Sequence, residues 1–259
     1  MQKKTIWPVP SALVLGIMGF LLRFLHFNTG YDEKGLPVNG FFTLSLTIFA
    51  AAVTLLFLVS SLVMGKRFNS IADFGDAFAP GKHRGIYSVL TALSAVFALI
   101  GCIMFFAGNS GSLTPVLKAL FIALTALTFL AMVFYALYAK SGGFPRWLGY
   151  LGIAPALLWC FFLIYQYIAN ASNPTVTEYS FECIAFAAGA LFSLSAAGYI
   201  FRKRQPKATM FSGLMLTSFP IMAAATPGTP AAYYFIFGSQ LIFAAVSIWG
   251  FTAFPRKKD

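Results

Sequence analysis

Long apolar runs, each about the length of a membrane-spanning helix, recur along the whole chain and leave few alternatives for its fold. A hydrocarbon core about 30 Å thick is crossed by roughly 20 residues of α-helix. Lipid offers no hydrogen-bond partners to unpaired backbone groups, so the runs are predicted to be helical. We count eight of them, approximately Pro8–Phe27, Phe41–Met64, Tyr87–Ala107, Pro115–Tyr138, Trp147–Asn170, Glu178–Phe201, Thr209–Thr226 and Ala231–Phe254.

The composition excludes a water-soluble globular fold. Hydrophobic residues make up 59% of the chain and charged residues only 10%, whereas a soluble domain carries about 25% charged residues. We therefore predict an all-α integral membrane protein, a bundle of eight transmembrane helices in one domain over residues 1–259, with the lipid bilayer as its partner. The net charge of +11 does not predict nucleic-acid binding, because the placement of the basic residues explains it.

The basic residues alternate between the connecting segments in a way that predicts orientation. Fifteen of the 18 Lys and Arg residues lie in the termini and the even-numbered connections, and one, Lys34, lies in the odd-numbered connections. Short cytoplasmic loops carry such an excess of Lys and Arg. The pattern predicts an even number of spans with both termini in the cytoplasm.

The longest of the basic connections, residues 65–85, carries apolar side chains at helical spacing. Phe68, Ile71, Phe74 and Phe78 alternate with charged residues. One interpretation is a short amphipathic helix lying on the inner leaflet. The alternative is a solvated loop with scattered aromatic residues.

Few ionisable residues interrupt the spans, and in the predicted orientation all of them lie in the outer half of the membrane. Arg23 and His26 fall in the last turns of the first span, and Lys118 falls in the first turn of the fourth. Glu178 and Glu182 open the sixth span, and a spacing of four residues puts both carboxylates on one helix face. A charge at the bilayer centre costs about 2.5–3.5 kcal/mol, so this outer placement reduces the penalty.

These residues predict a polar pocket that opens outward. In this hypothesis Arg23 is the counter-charge of Glu182, and it either holds an anionic group or neutralises the glutamate until a cationic ligand displaces it. The remaining candidate ligand-binding residues are His26, Lys118, Tyr165, Gln166 and Glu178. The alternative is a structural Arg–Glu pair that holds two helices together and binds no ligand.

A second polar cluster lies deeper and is neutral. Gln240 in the last span and Thr217 beside Pro220 in the seventh are candidates for a substrate path. Interhelical hydrogen bonding explains the same residues without any substrate.

Catalytic and metal-binding motifs are absent from the sequence, which argues against an enzyme and predicts neither a metal nor another cofactor. The two histidines, His26 and His83, lie in different segments, and HExxH, GxSxG and Walker A patterns do not occur. The three cysteines show no CxxC spacing and all fall in apolar runs, as small buried hydrophobic residues do. An enzyme built on Glu182 and His26 ranks third among the functions.

The loop TGYDEKGLP after the first span resembles that of a loosely defined group of uncharacterised multi-span proteins from clostridia-like Gram-positive bacteria. The matching residues are Thr29, Gly30, Asp32, Gly35, Leu36 and Pro37. The resemblance covers mostly the first 45 residues and the layout of spans. It implies a multi-pass protein of the bacterial cytoplasmic (plasma) membrane and no assigned reaction; contact of Asp32 and Glu33 with a ligand is a further hypothesis.

From these patterns we predict a small-molecule transporter, or the substrate-binding membrane component of one, with an outward-facing polar pocket. The alternative is a non-catalytic accessory or sensor protein. Its basic cytoplasmic face would dock a membrane-protein partner or anionic lipid.

Overall fold

The described part of the chain is helical throughout, with no β-strand. The computed structural model describes residues 6–29, 40–68, 71, 73–109, 111, 113–171, 179–203 and 205–253. Its α-helices are α1 Pro8–Thr29, α2 Gly40–Gly65, α3 Phe74–Phe78, α4 Arg84–Asn109, α5 Pro115–Ser141, α6 Arg146–Leu151, α7 Ile153–Ala169, α8 Ser180–Ile200, α9 Pro206–Ala223 and α10 Ala231–Ala253.

Within the described ranges, seven helical segments are long and apolar enough to cross a membrane, and the chain is a multi-pass membrane protein. They are α1, α2, α4, α5, the continuous segment α6–α7, α8 and α10. Each coincides with one of the apolar runs in the sequence. Large apolar side chains such as Leu55, Val89 and Ile164 lie more than half exposed on their outer faces, as expected of side chains that contact lipid.

The predicted seventh span is also a helix, α9, but its hydropathy is too low for it to count among these seven apolar segments. It has 18 residues, and nearly all of them, including Thr217 and Ser218, are buried. It packs against α1, α2, α8 and α10. A helix surrounded by other helices needs no apolar face toward lipid. It can therefore contain polar residues that lower its mean hydropathy and still remain buried in the protein.

The long helices form a bundle around two neighbouring helices, α9 and α10. Pairwise packing runs from α10 to α4, α5, α7, α8, α9 and back to α10, and α1 and α2 pack on the outside of α9. Close approaches set the directions: Gly16 and Gly19 of α1 abut Ser218 and Met222 of α9, so α1 and α9 run the same way. Gly101 of α4 abuts Ile236 of α10, whereas Ser94, earlier in α4, is hydrogen-bonded to Ser239, later in α10, so these two helices are antiparallel.

Local signals in the sequence determine several helix ends. Thr114 precedes α5 as its N-cap, and its hydroxyl accepts a hydrogen bond from the Leu117 amide at 3.4 Å. Pro115 follows at the first helical position, where no amide donor is needed. At the other end, Gly142 takes a left-handed conformation, φ 77°, and its amide donates to the Tyr138 carbonyl, as glycine commonly does at helix C-termini.

In the connection over residues 65–85, the described apolar side chains face the protein, so they contact neither lipid, as in an interfacial helix, nor water, as in a solvated loop. Its four apolar side chains, Phe68, Ile71, Phe74 and Phe78, are all at least 94% buried. They pack into the end of the bundle at which α4 begins and α10 ends, and Phe74 stacks against Tyr135 with ring centroids 4.9 Å apart. Sequence periodicity alone does not show whether an apolar face lies on lipid or on protein, so this distinction was missed.

Gly250 makes this packing feasible. A β-carbon at this position of α10 would collide with the backbone carbonyl of Phe78. His83 follows in the same connection, and its Nε2 lies 3.0 Å from the Val246 carbonyl oxygen of α10. The connection therefore closes this end of the bundle, which we call the basic end because Arg146, Arg202 and Lys203 also lie there.

Candidate functional site

A polar pocket of about 310 Å³ lies at the opposite end of the bundle, which we call the pocket end. Helix α4 ends there, α7 ends, α8 begins, and the connection from α9 to α10 crosses it. The residues that line it are mostly polar: Asn109, Tyr165, Gln166, Asn170, Tyr179, Glu182, Thr226, Pro227, Gly228, Thr229, Pro230 and Tyr233.

Three of these side chains form one hydrogen-bonded chain across three helices. The Gln166 amide nitrogen Nε2 donates to the Glu182 carboxylate. Its other amide atom, Oε1, accepts from the Tyr233 hydroxyl at 3.0 Å. Both ends of the amide are thus committed, which orients Gln166 and holds the Glu182 carboxylate at the pocket wall although Glu182 is only 5% exposed.

A second hydrogen bond closes the side of the pocket next to α4. The Tyr165 hydroxyl donates to Asn109 Oδ1 at 2.7 Å, and Asn109 Nδ2 donates to the Phe105 carbonyl at the end of its own helix. The pocket therefore has two hydroxyls, two amides and a carboxylate fixed by neighbouring groups. Such a preorganised set of donors and acceptors is typical of small-molecule sites.

Arg23 lies behind the pocket and does not line it. Its side chain is fully buried, and Nη1 donates to the Met222 carbonyl oxygen at 3.4 Å. The guanidinium carbon lies 4.5 Å from the centroid of the Phe181 ring. Met222 is in the last turn of α9, where a cation is favourable, and its carbonyl also accepts from the Ala225 amide at 3.2 Å. Arg23 therefore caps the C-terminal end of α9.

The other predicted site residues are distributed unevenly. His26 is buried one turn beyond Arg23 and packs edge-on against Phe27. Lys118 lies on α5, which packs on α4, α6 and α7, and it does not line the pocket. Glu178 lies outside the described residues, as do Asp32, Glu33 and the loop residues 30–37 on which the resemblance depends.

The deeper cluster surrounds a small core cavity of about 10 Å³, large enough for one water molecule. Its lining comprises Met132, Pro155, Trp159, Ser193, Leu216, Ser239, Gln240 and Phe243. Gln240 is 1% exposed, and neither of its amide atoms has a hydrogen-bond partner among the described residues. The Ser239 hydroxyl is hydrogen-bonded to the Ser94 hydroxyl, with 3.1 Å between the two oxygen atoms. Thr217 donates to the Gly213 carbonyl of its own helix and is not part of this lining.

Aromatic side chains fill the space between the polar pocket and the core cavity. Phe162 and Phe186 stack with ring centroids 5.3 Å apart. Phe186 also contacts Tyr233 at 5.9 Å and Phe237 at 5.5 Å. The two cavities have no lining residue in common, so the aromatic cluster separates them in this conformation.

Sequence reasoning missed several residues of the pocket, notably Asn109, Asn170 and Tyr233. Each lies at or near the end of an apolar run, where polar and aromatic residues are ordinary membrane-interface features. The available signal for Tyr233 was its spacing of seven from Gln240, which puts both on one helix face.

No family model, curated protein or solved structure matches this chain. The class of the protein therefore depends on its fold alone: an all-helical, multi-pass membrane protein.

Proposed function

We propose that this protein is a small-molecule transporter, or the substrate-binding membrane component of one, and that the polar pocket binds its substrate. The observation that carries the proposal is the Glu182 carboxylate, held by Gln166 at the wall of a cavity that opens at one end of the bundle. A buried carboxylate in a membrane helix costs free energy that a purely structural role could avoid, so it is a functional candidate.

The proposal includes an arrangement of eight spans with both termini in the cytoplasm of a bacterium and the pocket facing outward across the plasma membrane. Three observations support it: α9 runs parallel to α1 through the bundle, α1 begins at the same end at which α10 ends, and that end carries the basic residues. Short basic segments remain in the cytoplasm. The predicted clostridial relationship belongs to the same proposal.

A carrier must also expose its binding site alternately to the two sides of the membrane. In this structure, the aromatic cluster blocks the path from the polar pocket to the core cavity. The rings between the pocket and Gln240 close the pocket toward the middle of the bundle, while the pocket remains open at its own end. Moving α7 and α8 relative to α10 would separate Phe162 and Phe186 from Tyr233 and join the pocket to the core cavity. Such rocking of helices around a mid-membrane site is common among secondary transporters.

The pocket chemistry favours a cationic or hydrogen-bond-donating substrate. Glu182 and the amide side chains of Asn109, Gln166 and Asn170 line the cavity, whereas Arg23 is fully buried and is not part of the lining. The anionic alternative needs a cation at the pocket wall, and none of the described lining residues is basic.

Thermal unfolding of the purified protein tests the proposal, with wild type and Glu182→Gln compared across a panel of cationic, zwitterionic and anionic metabolites. A ligand that binds the native state at 100 times its Kd stabilises it by about 2.7 kcal/mol. We expect cationic compounds to raise the midpoint of the wild type and to have no effect on the variant. Glu182→Gln keeps the size of the side chain, and Lys118→Gln, outside the pocket, is the control that should respond like the wild type.

A recess at the basic end favours a second candidate function, an accessory or sensor protein. About 530 Å³ in volume, it is lined by Arg146, Tyr150, Phe201, Arg202 and Lys203, which suits an anionic lipid headgroup or an acidic partner segment. If no compound in the panel shifts the midpoint of the wild type and Glu182→Gln only changes stability, the transporter proposal is wrong and this function replaces it.

A further inference from the structure

An apolar groove lies beside the polar pocket, between α5 and α7. It has a volume of about 590 Å³, and its lining comprises Leu113, Leu117, Leu120, Leu124, Leu157, Cys160, Phe161, Ile164, Tyr165, Ile168 and Ala169. Leu124 and Phe161 are buried at its floor, at 7% and 9% exposure. Leu157 and Ile168 are more than half exposed along its rim, so the groove opens sideways, toward the bilayer. We call it the leucine groove.

The leucine groove and the polar pocket adjoin at one side chain. Tyr165 lines both cavities. Its ring forms part of the apolar wall, whereas its hydroxyl donates to Asn109 on the polar side. One turn further along α7, the lining again changes from apolar to polar. Ala169 lines the groove, and the following residue, Asn170, lines the pocket.

The two cavities differ sharply in chemistry. The pocket contains the Glu182 carboxylate and the amide of Gln166, while the groove is lined almost entirely by aliphatic and aromatic carbon. Each has a volume within the range of small-molecule sites, about 300–1,000 Å³. A ligand that fills both must carry a compact polar head and a hydrocarbon chain.

Charge decides which head the site accepts. Glu182 is the acidic residue among the described pocket lining, and no basic residue is part of that lining. An ammonium group can pair with the carboxylate and donate hydrogen bonds to the amide and hydroxyl oxygens around it. A carboxylate or phosphate head would instead meet a like charge.

We infer that the polar pocket and the leucine groove form one binding site for a single-chain cationic amphiphile, with its ammonium head at Glu182 and its alkyl chain in the groove. The inference rests on the proposed function, because it names the substrate class of the same pocket. The open rim of the groove lets such a ligand enter from the bilayer, and Tyr165 is the residue at which head and chain meet.

The test is titration calorimetry on the full-length protein in a maltoside detergent, with n-butylammonium and n-octylammonium as probes and octanoate as the head-group control. Burying a methylene contributes about 0.8 kcal/mol, or roughly a fourfold gain in affinity. We expect octylammonium to bind at least about tenfold more tightly than butylammonium, since four methylenes are added and burial in an open groove is incomplete. Octanoate should not bind.

Three variants separate the head from the chain. Glu182→Gln should abolish binding of both amines. Leu157→Trp fills the groove from its exposed rim and should remove most of the gain from the longer chain while leaving butylammonium binding intact. Leu191→Trp is the matched control, because Leu191 lies 54% exposed on α8 and is not part of the groove; it should behave like the wild type.

The outcomes distinguish this inference from the proposed function. If the two amines bind with equal affinity and Glu182→Gln loses binding, the proposal of an amphiphilic ligand is wrong, but the pocket is still a binding site. The inference is equally overturned if octylammonium binds all variants alike, which indicates partition into the micelle. It also fails if neither amine binds while another metabolite shows binding that depends on Glu182. If no compound binds at all, the proposed function fails as well.

Discussion

The polar pocket and the core cavity both contain polar side chains inside an apolar bundle, but they differ in hydrogen bonding. In the pocket, a glutamine amide is hydrogen-bonded to neighbouring side chains, and in the core cavity the glutamine amide has no such partner within the described part of the chain. Gln166 joins Glu182 to Tyr233 by hydrogen bonds. Gln240, in the core cavity, has no hydrogen-bond partner for either amide atom among the described residues. The difference indicates that the pocket is preorganised in this conformation, whereas the amide of Gln240 in the core cavity is not held by another described side chain.

The two regions also differ in the use of charge. Near the pocket, the cation Arg23 caps α9, and the acidic Glu182 lies in the pocket wall. The core cavity is lined by neutral side chains alone. A charge near the membrane surface costs less free energy than one at the midplane, which explains why Arg23 and Glu182 lie at the pocket end and not beside the core cavity.

The largest effect is expected from Arg23→Met. The substitution removes the guanidinium that donates to the Met222 carbonyl and caps α9, and losing a hydrogen bond from a charged group should cost about 1.5–3 kcal/mol of unfolding free energy. Thermal or denaturant unfolding in detergent measures it. The double variant Arg23→Met/Glu182→Gln should regain part of the loss; strictly additive effects would show that the two charges do not interact.

A smaller effect of opposite sign is expected from Gln240→Leu. A buried polar group without a partner costs about 1–3 kcal/mol, so replacing it with an apolar side chain of similar size should leave stability unchanged or raise it. Ser94→Ala, which removes the bond to Ser239, is the control and should cost about 1 kcal/mol. Marked destabilisation by Gln240→Leu would contradict the contrast between the two regions.

The smallest effect is expected from Tyr165→Phe, which removes the hydroxyl that donates to Asn109 and leaves the ring in place. The loss of one hydrogen bond corresponds to about 0.5–1.5 kcal/mol, measurable as a small fall in the unfolding midpoint. Tyr167→Phe is a suitable control, because Tyr167 lies 63% exposed on the same helix. Equal midpoints for Tyr165→Phe and the control would mean that the bond to Asn109 does not stabilise the pocket.

Most of the fold followed from the sequence because lipid imposes a simple rule on exposed helices. Seven apolar runs matched spanning helices within a few residues at each end. The rule is weaker where a helix avoids lipid, and α9, with Pro220 inside it and polar residues along it, accordingly is not among the seven helices with the hydropathy of a span. The packing environment of Phe74 and Phe78 could not be predicted either, since an apolar face packs equally well on protein or on lipid.

The candidate site was predicted only in part. Glu182 stood out because a short acidic side chain inside a span is costly, and Gln166 and Tyr165 were placed near it by depth alone. Depth does not determine how a helix is rotated about its axis, which is why Lys118 was grouped with a pocket that it does not line. The cap that Arg23 provides to α9 involves residues 199 positions apart, a separation over which no local pattern carries information.

The sequence by itself determined the solvent of this protein, its helical class and the depth at which its charges lie, because hydropathy and the cost of burying a charge act residue by residue. Only the tertiary structure decided which helices are central, that Gln166 bridges Glu182 and Tyr233, and that a polar pocket and a leucine groove meet at Tyr165. These features depend on the rotation and packing of whole helices, and many residues far apart in the chain set them together.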